Sequence, residues 1–419
     1  MSRTAVDLGT SGPTMQLALV AVEEVSRLHR LLDGNVLAES GGALHALDRE
    51  GGVRSLDRVF FALQDGLGDL GSVGGSWPGT LLLETYRIGA GDGITAGFVL
   101  SGDEHRATVE RRLSGAYLLP PTVWKGGMLL TVRAEGHSSE FGAPLDRTAQ
   151  FELLGKAKAS TPRFPKEALF DDAFLAYPSG SVFALGGRRT RPVVDDDASE
   201  YEQEHHYMID GAIIWQSDGT TAPLQPVQLP GTSPRDRLHG GRLAAGRSEH
   251  GTLVFGSLEI WRQRQSTIQP YLARFGPAGW RRVPIDAPIL RIDRGSDDTT
   301  WALCGSDGYA STDESFLARV TLLADGGVRL ERTPLAPNPQ WRLLGEPAVT
   351  ALQGCTRLRP RELAALSEKD LWLTAQCVPG QDYAPTLLLH TQAQKPLVTF
   401  KTLERSGPLG TALPAPKVH

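Results

Sequence analysis

Lysine is scarce in this chain: 8 of its 43 basic residues are Lys and 35 are Arg, and against 48 Asp and Glu they leave a formal net charge of -5. No global positive field exists to hold nucleic acid or an anionic membrane, and both are excluded as general partners. Taken with abundant Ala, Gly and Pro, the arginine excess reads as genome composition rather than recognition. Cysteine is scarce too, with 3 in 419 residues, too few for a disulfide scaffold. Cys304 ends the apolar run Trp301-Ala302-Leu303-Cys304 and reads as a small buried hydrophobe. Cys355 and Cys377 fall on segments read as neighbouring strands, which leaves a disulfide between them open. No run approaches the roughly 18 to 20 apolar residues of a membrane span. The N-terminal region has no basic stretch leading into an apolar core and cleavage site, since Leu17 to Val22 runs into Glu23 and Glu24. With Met1 as the native start this implies a cytoplasmic protein, or a secreted one if a signal has been removed.

What the chain has in quantity is glycine and proline, 47 and 28 residues, with 40% hydrophobic residues and 8 Trp. The apolar content is enough for a large core, so the Gly and Pro serve as punctuation between many short elements, against a helical bundle or alternating strands and long helices. Met15 to Leu32 fits helical spacing fairly well, although its first part reads equally as a strand. Beyond it, runs of four to eight apolar or β-branched residues recur between Gly, Pro, Asp and Ser, the pattern of strands and turns.

Three units read as four strands in order. One runs Gly241 to Gly246, Thr252 to Ile260, Tyr271 to Phe275 and Trp280 to Ile285. The next runs Ile289 to Arg294, Thr300 to Cys304, Phe316 to Leu323 and Val328 to Arg332. The last runs Leu363 to Leu366, Leu371 to Gln376, Leu387 to Thr391 and Leu397 to Thr402. Less regular sets start at Ala173 and at Arg58, the latter with Arg58 to Leu63 as its first strand. The spacing predicts seven such units, with six or eight left open.

A repeated four-stranded meander resembles the β-propeller superfamily, in which each sheet covers the faces of its neighbours and a closed ring removes exposed ends. The resemblance is one of architecture. It implies an all-β fold with residues 34–405 as the propeller, 1–33 as a helix or strand closing the ring, and 406–419 as a tail. Trp301 and Trp372, at equivalent strand positions, are expected to pack between blades. No Trp-Asp dipeptide of the WD40 kind occurs. Gly186-Gly187 with Tyr207 and Trp215 resembles one kelch blade, and Ser217-Asp218-Gly219-Thr220-Thr221 and Gly305-Ser306-Asp307-Gly308 resemble in part the Asp-box turns of sialidase-like propellers.

In such blades the first-to-second and third-to-fourth connections share one rim, and the second-to-third connections lie on the other. The former read as short. The latter read as long: Glu135 to Arg147, Arg188 to His206, Trp261 to Gln269, Gly305 to Ser315 and Val378 to Pro385. Function collects where loops vary on a rigid scaffold, so the candidate ligand or partner surface comprises His137, Glu140, Arg262, Arg264, Asp307, Tyr309, Asp313, Asp382 and Tyr383. The segment Arg188 to His206 holds Asp195, Asp196, Asp197, Glu200, Glu202 and Glu204, then His205 and His206. Carboxylates with imidazoles suit a divalent cation, and Asp195, Asp197, Glu204, His205 and His206 are its candidate ligands, although the spacing is not that of a calcium loop. The same charge would attract a basic protein partner, with salt-sensitive binding.

Catalytic signatures fail. Gly91-Asp92-Gly93-Ile94-Thr95-Ala96 fits a dinucleotide-binding string, but it leads into a strand, so no helix N-terminus waits for a pyrophosphate. Ser248-Glu249-His250 puts a hydroxyl near an imidazole in sequence, whereas triads are spatial. The expectation is a non-catalytic scaffold with a protein partner and no cofactor. The alternatives are a metal-assisted hydrolase or lyase at the channel mouth and a carbohydrate-binding or glycosidase-like propeller using paired carboxylates.

Overall fold

The computed structural model describes residues 15–391 except 16, 23–24, 41–42, 49–51, 57–68, 88–93, 104–106, 115, 136–147, 155–158, 193–206, 221, 235, 263–264, 306–314, 324–326, 345 and 379–385. Its strands form seven antiparallel sheets. Blade 1 holds β2 (Val25–Arg30), β3 (Val36–Ser40), β4 (Ala43–Leu47) and β5 (Val53–Ser55). Blade 2 holds β6 (Asp69–Gly75), β7 (Gly79–Arg87), β8 (Ile94–Gly102) and β9 (Ala107–Ser114). In blade 3, β10 (Ala116–Leu118) and β11 (Thr122–Trp124) lie end to end along β12 (Met128–Glu135), which pairs on its other side with β13 (Thr148–Leu154). The break between β10 and β11 falls at Pro120-Pro121, because proline has no N–H to give the ladder.

Blade 4 holds β14 (Ala168–Ala176), β15 (Val182–Pro192), β16 (Tyr207–Ser217) and β17 (Gln225–Gln228). Blade 5 holds β18 (Arg237–Ala244), β19 (Leu253–Arg262), β20 (Gln265–Gly276) and β21 (Gly279–Arg282). Blade 6 holds β22 (Ile289–Arg294), β23 (Thr300–Cys304), β24 (Phe316–Leu322) and β25 (Val328–Thr333). A 3-10 turn (Pro339–Leu344) and a short helix, α1 (Glu346–Ala351), lead to blade 7, made of β26 (Arg357–Ala365), β27 (Leu371–Val378) and β28 (Leu387–His390). The fourth strand of blade 7 is β1 (Ala18–Val22), antiparallel to β28.

Two sequence readings change here. Met15 to Leu32, left open between helix and strand, holds two strands, β1 in blade 7 and β2 in blade 1. Its helical spacing arises because β1 is buried on both faces, so the apolar residues do not alternate. The place expected for Leu397 to Thr402 beside β28 is held by β1, and those residues lie outside the described ones. Similarly, the first strand of blade 2 is β6 rather than Arg58 to Leu63, which also lie outside.

Each interface between successive blades has its own apolar cluster. Leu37 and Leu44 meet Trp77 and Leu83 between blades 1 and 2, and Leu82 and Val99 meet Leu154 between 2 and 3. Trp124 meets Trp215 between 3 and 4, Phe183 meets Leu258 between 4 and 5, and Phe255 meets Ala302 between 5 and 6. Trp301 and Trp341 meet Leu373 between 6 and 7, while Trp372 meets Leu28 and Val36 between 7 and 1. Seven sheets with seven shared clusters close a ring. Inner strands sandwiched in this way are buried at every position, as in β3, β23 and β28.

In blades 1, 2, 4, 5, 6 and 7 the first strand bulges against the second. A bulge adds twist and bends its strand, as suits a sheet turning edge-on toward an axis. Cys355 and Cys377 form a disulfide that fastens the segment after α1 to β27, with Cα atoms 5.3 Å apart. Replacing both with alanine is expected to cost about 2–4 kcal/mol. Chemical denaturation with and without reductant checks this, and a midpoint indifferent to both would count against the bond. Burial, with the charge of Asp286 adding to it, pushes the Cys304 thiol up to about 12, which leaves it protonated and unreactive at neutral pH.

Candidate functional site

The turns between first and second strands lock neighbouring blades together. In blade 1, Asp33 accepts the N–H of Asn35 at 3.0 Å on one oxygen and that of Trp77, from blade 2, at 2.7 Å on the other. In blade 6, Asp297 likewise accepts from Thr299 at 3.1 Å and from Glu368 of blade 7 at 2.7 Å. The residue before each Asp repeats the pattern, Leu32 donating to the Gly75 carbonyl and Ser296 to that of Leu366. Burial opposes the charge of Asp297, but the backbone donors prevail and hold its carboxyl below the usual range. The residue after each Asp is left-handed, Gly34 at φ 84° and Asp298 at φ 68°. Between blades 4 and 5 the same task falls to Tyr177, whose hydroxyl lies 2.6 Å from Thr252 Oγ1 and accepts the Gly246 N–H at 3.0 Å.

Next to the axis an ionic network spans blades 6, 7 and 1. Arg291 on β22 donates to Glu362 on β26 and to the Leu28 carbonyl on β2, each at 3.0 Å, and to its neighbour Asp293 at 3.2 Å. Arg30 donates to the Arg294 carbonyl, and Asp293 accepts the Ala365 N–H at 3.3 Å. Burial alone would lower the Arg291 guanidinium, yet Asp293 and Glu362 outweigh it and raise it. Arg30 is lowered by burial, with Asp293 opposing and Arg291 and Arg294 adding to the effect. Each charge here has a partner from another strand, so the network holds the ring as a fixed structural element.

On the clasped rim a cleft of about 470 Å3 opens between blades 5 and 6. Its walls are the 245–252 connection, the turn 295–299, and the ends of β20 and β24. Four guanidiniums line it, those of Arg247, Arg274, Arg294 and Arg319, against the carboxylates of Asp297 and Asp298. Ser248, Thr299, Thr300 and Thr321 add hydroxyls. Asp298 is shared by Arg294 and by Arg247, the latter at 3.4 Å, and Arg319 pairs with Glu368 at 3.0 Å. Arg274 gives one N–H to the Leu323 carbonyl at 3.0 Å, while its buried Nε has no hydrogen-bond partner among the described residues.

A second cavity of about 520 Å3 lies between blades 1, 2 and 7, with Trp77, Pro78, Trp372, Asp48 and Arg54 in its lining. Asp48 is engaged there by its own hairpin, accepting the Gly52 N–H at 2.6 Å.

Of the ligand-surface residues expected from sequence, Arg262 ends β19. His137, Glu140, Arg264, Asp307, Tyr309, Asp313, Asp382 and Tyr383 lie outside the described residues, as do Asp195, Asp197, Glu204, His205 and His206. Among the described residues no group of three or more His, Cys, Asp and Glu could hold a metal ion. Two loop lengths differ from expectation, both in blade 5. Trp261 to Gln269 is not a long loop, because β19 and β20 run on until Arg262 faces Gln265 across the ladder. The 245–252 connection, expected to be short, is longer than its counterparts 31–35 and 295–299 and contains a 3-10 turn, Glu249–Gly251. Its extra length builds one wall of the arginine cleft. The signal for that cleft was the arginine excess, which composition alone could not assign to a place.

The motifs set aside in the sequence behave as structural parts. Ile94 opens β8, so a strand follows Gly91-Asp92-Gly93. His250 stacks on Phe275 with ring centres 5.7 Å apart, and Glu249 accepts from Ser179 of blade 4 at 3.2 Å. In the turn after β16, Asp218 accepts the Thr220 N–H at 3.1 Å. Three other imidazoles pair with carboxylates within their own blades: His29 with Glu39 at 3.4 Å, His239 with Glu259 at 2.8 Å and His390 with Asp370 at 2.9 Å. His390 is fully buried beneath Trp372, with ring centres 4.2 Å apart. Ser257, opposite His239 in the ladder, is buried as well, so it offers no accessible nucleophile.

The seven sheets closed by β1 make this chain a seven-bladed β-propeller. No family model and no curated protein sequence matches it. Solved structures match along most of its length at low identity. Drosophila Semaphorin 1b, extracellular domains 1-2, is 10% identical over 90% of this chain and 87% of that one, at a TM-score of 0.40. Penicillium chrysogenum alpha-L-arabinanase, complexed with arabinobiose, is 11% identical over 90% and 98%, at 0.34. An acylaminoacyl peptidase of Pyrococcus horikoshii is 12% identical over 84% of this chain, at 0.40, and the chain spans 50% of that protein. Likeness at this level carries no argument about chemistry, and the fold rests on the sheet order itself.

Proposed function

We propose that the protein is a binding propeller that takes a basic protein partner through the acidic segment 193–206. The reading is supported by the hairpin that carries this segment. β15 and β16 continue past the blade until Pro192 faces Tyr207, with Arg188 opposite Asp210 and Arg189 opposite Ile209. The Trp215 Nε1–H anchors the stem by donating to the Gly187 carbonyl at 3.1 Å. The described stem ends at Pro192 and Tyr207, at the end of the blade away from the clasped turns, and the sequence between them carries six carboxylates, Asp195, Asp196, Asp197, Glu200, Glu202 and Glu204. Opposite charges concentrated on a rigid support speed encounter and set partner choice.

The test replaces residues 193–206 with an Asn-Gly turn, which suits a two-residue hairpin, and keeps the stem. Circular dichroism and the unfolding midpoint should be unchanged. Partners captured from a lysate by the intact chain at low salt should be lost, and should also be released from the intact chain by about 0.5 M salt, where screening acts within a few ångströms. Retention of the same partners by the deletion variant would overturn the reading. A divalent cation bound stoichiometrically by the intact chain, and lost on changing His205 and His206 to alanine, would instead favour a metal site in this segment.

A further inference from the structure

We propose that the arginine cleft between blades 5 and 6 is a binding site for a small molecule carrying a phosphoryl group or paired carboxylates. A guanidinium presents planar paired donors that match the oxygens of both groups. Three of the four cleft guanidiniums already face a carboxylate: Arg247 and Arg294 share Asp298, and Arg319 meets Glu368. Among the described residues Arg274 has none, and its one hydrogen bond there goes to the Leu323 carbonyl. Among those residues its charge is the one in the cleft that no carboxylate offsets, and an oxyanion in the cleft would offset it.

The carboxylates of the lining compete weakly with such a ligand. Asp297 is committed to the backbone N–H groups of Thr299 and Glu368. Asp298 sits about half exposed at the mouth, with 48% of its side chain accessible. The space, about 470 Å3, lies within the range of roughly 300–1,000 Å3 that holds small ligands. The walls are fixed, because Asp297 ties the blade 6 turn to blade 7 and Tyr177 ties the blade 5 connection to blade 4. A rigid site avoids the ordering cost of assembling cations around an anion.

Isothermal titration of the full chain with inorganic phosphate, pyrophosphate and citrate, at constant ionic strength in chloride, tests the assignment. Saturable binding of one ligand per chain is expected for at least one of the three. Phosphate or pyrophosphate binding would point to a phosphoryl ligand, and citrate alone to paired carboxylates. Arg274→Gln should weaken binding at least tenfold. Asp298→Gly should tighten it, since glycine tolerates the left-handed backbone there and the change frees Arg247 and Arg294. Absence of saturable binding for all three anions, or unchanged affinity in Arg274→Gln, would overturn the proposal. If Arg274→Gln does not fold, the exposed Arg319→Gln takes its place, with the same loss expected; unchanged affinity in that variant would overturn the proposal equally. The cleft and the Pro192–Tyr207 stem lie at opposite ends of the blades, so deleting the segment between those two residues should leave anion affinity intact. Failure of one proposal is thereby distinguishable from failure of the other.

Discussion

Replacing Trp372 with alanine is expected to lower the unfolding free energy by about 3–5 kcal/mol, the range for emptying a large buried aromatic site. Trp372 is fully buried on β27, stacks on His390, and fills the interface between blades 7 and 1 with Leu28, Val36 and Leu388. Its environment cannot collapse easily, because the surrounding strands belong to two blades held apart by the rest of the ring. Trp301→Ala should cost a similar amount through the interface between blades 6 and 7. The two residues belong to different clusters, so the double variant should lose close to the sum of the single losses. Urea denaturation measures all three. A loss below about 1 kcal/mol for Trp372→Ala would mean that the interface does not depend on it.

Removing residues 1–24, and β1 with them, should be at least as damaging. Leu19, Val20 and Ala21 are buried, Leu19 against the 6–7 interface and the other two against the 7–1 interface. Losing Leu19 and Val20 alone forfeits about 1.5–3 kcal/mol each. The outer edge of β28 would also be left without a partner, open to pairing with other chains. The truncated protein should therefore unfold earlier by on the order of 5 kcal/mol and associate, and a peptide of residues 15–24 added in trans should restore the midpoint. A soluble truncated chain with the original midpoint would show that β28 does not need β1.

The readable and unreadable parts of the sequence separate along physical lines. The strand order of blades 5 and 6 was legible because their strands alternate with Gly, Pro and Asp turns, as at Gly276-Pro277-Ala278-Gly279, whereas the reach of the β19–β20 hairpin and the length of the 245–252 connection were not. For blade 7 the sequence left a strand of 1–33 closing the ring as one alternative beside Leu397 to Thr402, because pairing β1 with β28 joins residues far apart in sequence and leaves no local signature. α1 and the 3-10 turn before it escaped notice because they are too short for a helical period to register.

The candidate surface divides in the same way. The acidic run in 193–206 is visible in one dimension, since its charges are close together in the chain. The arginine cleft draws Arg247, Arg274, Arg294 and Arg319 from two blades, and nothing in their spacing joins them. Likewise the matching roles of Asp33 and Asp297 appear only once each is seen accepting an N–H from the next blade.

The sequence by itself determined an all-β chain, its turn-punctuated units and the absence of a global positive field. These follow from composition and short-range periodicity, which act within a few residues. Only the tertiary structure decided which strand closes the ring, which rim carries the cleft, and which of its arginines pair with carboxylates. Those properties arise from contacts between blades, where the ring brings distant residues to hydrogen-bonding range and fixes which charges are neutralised.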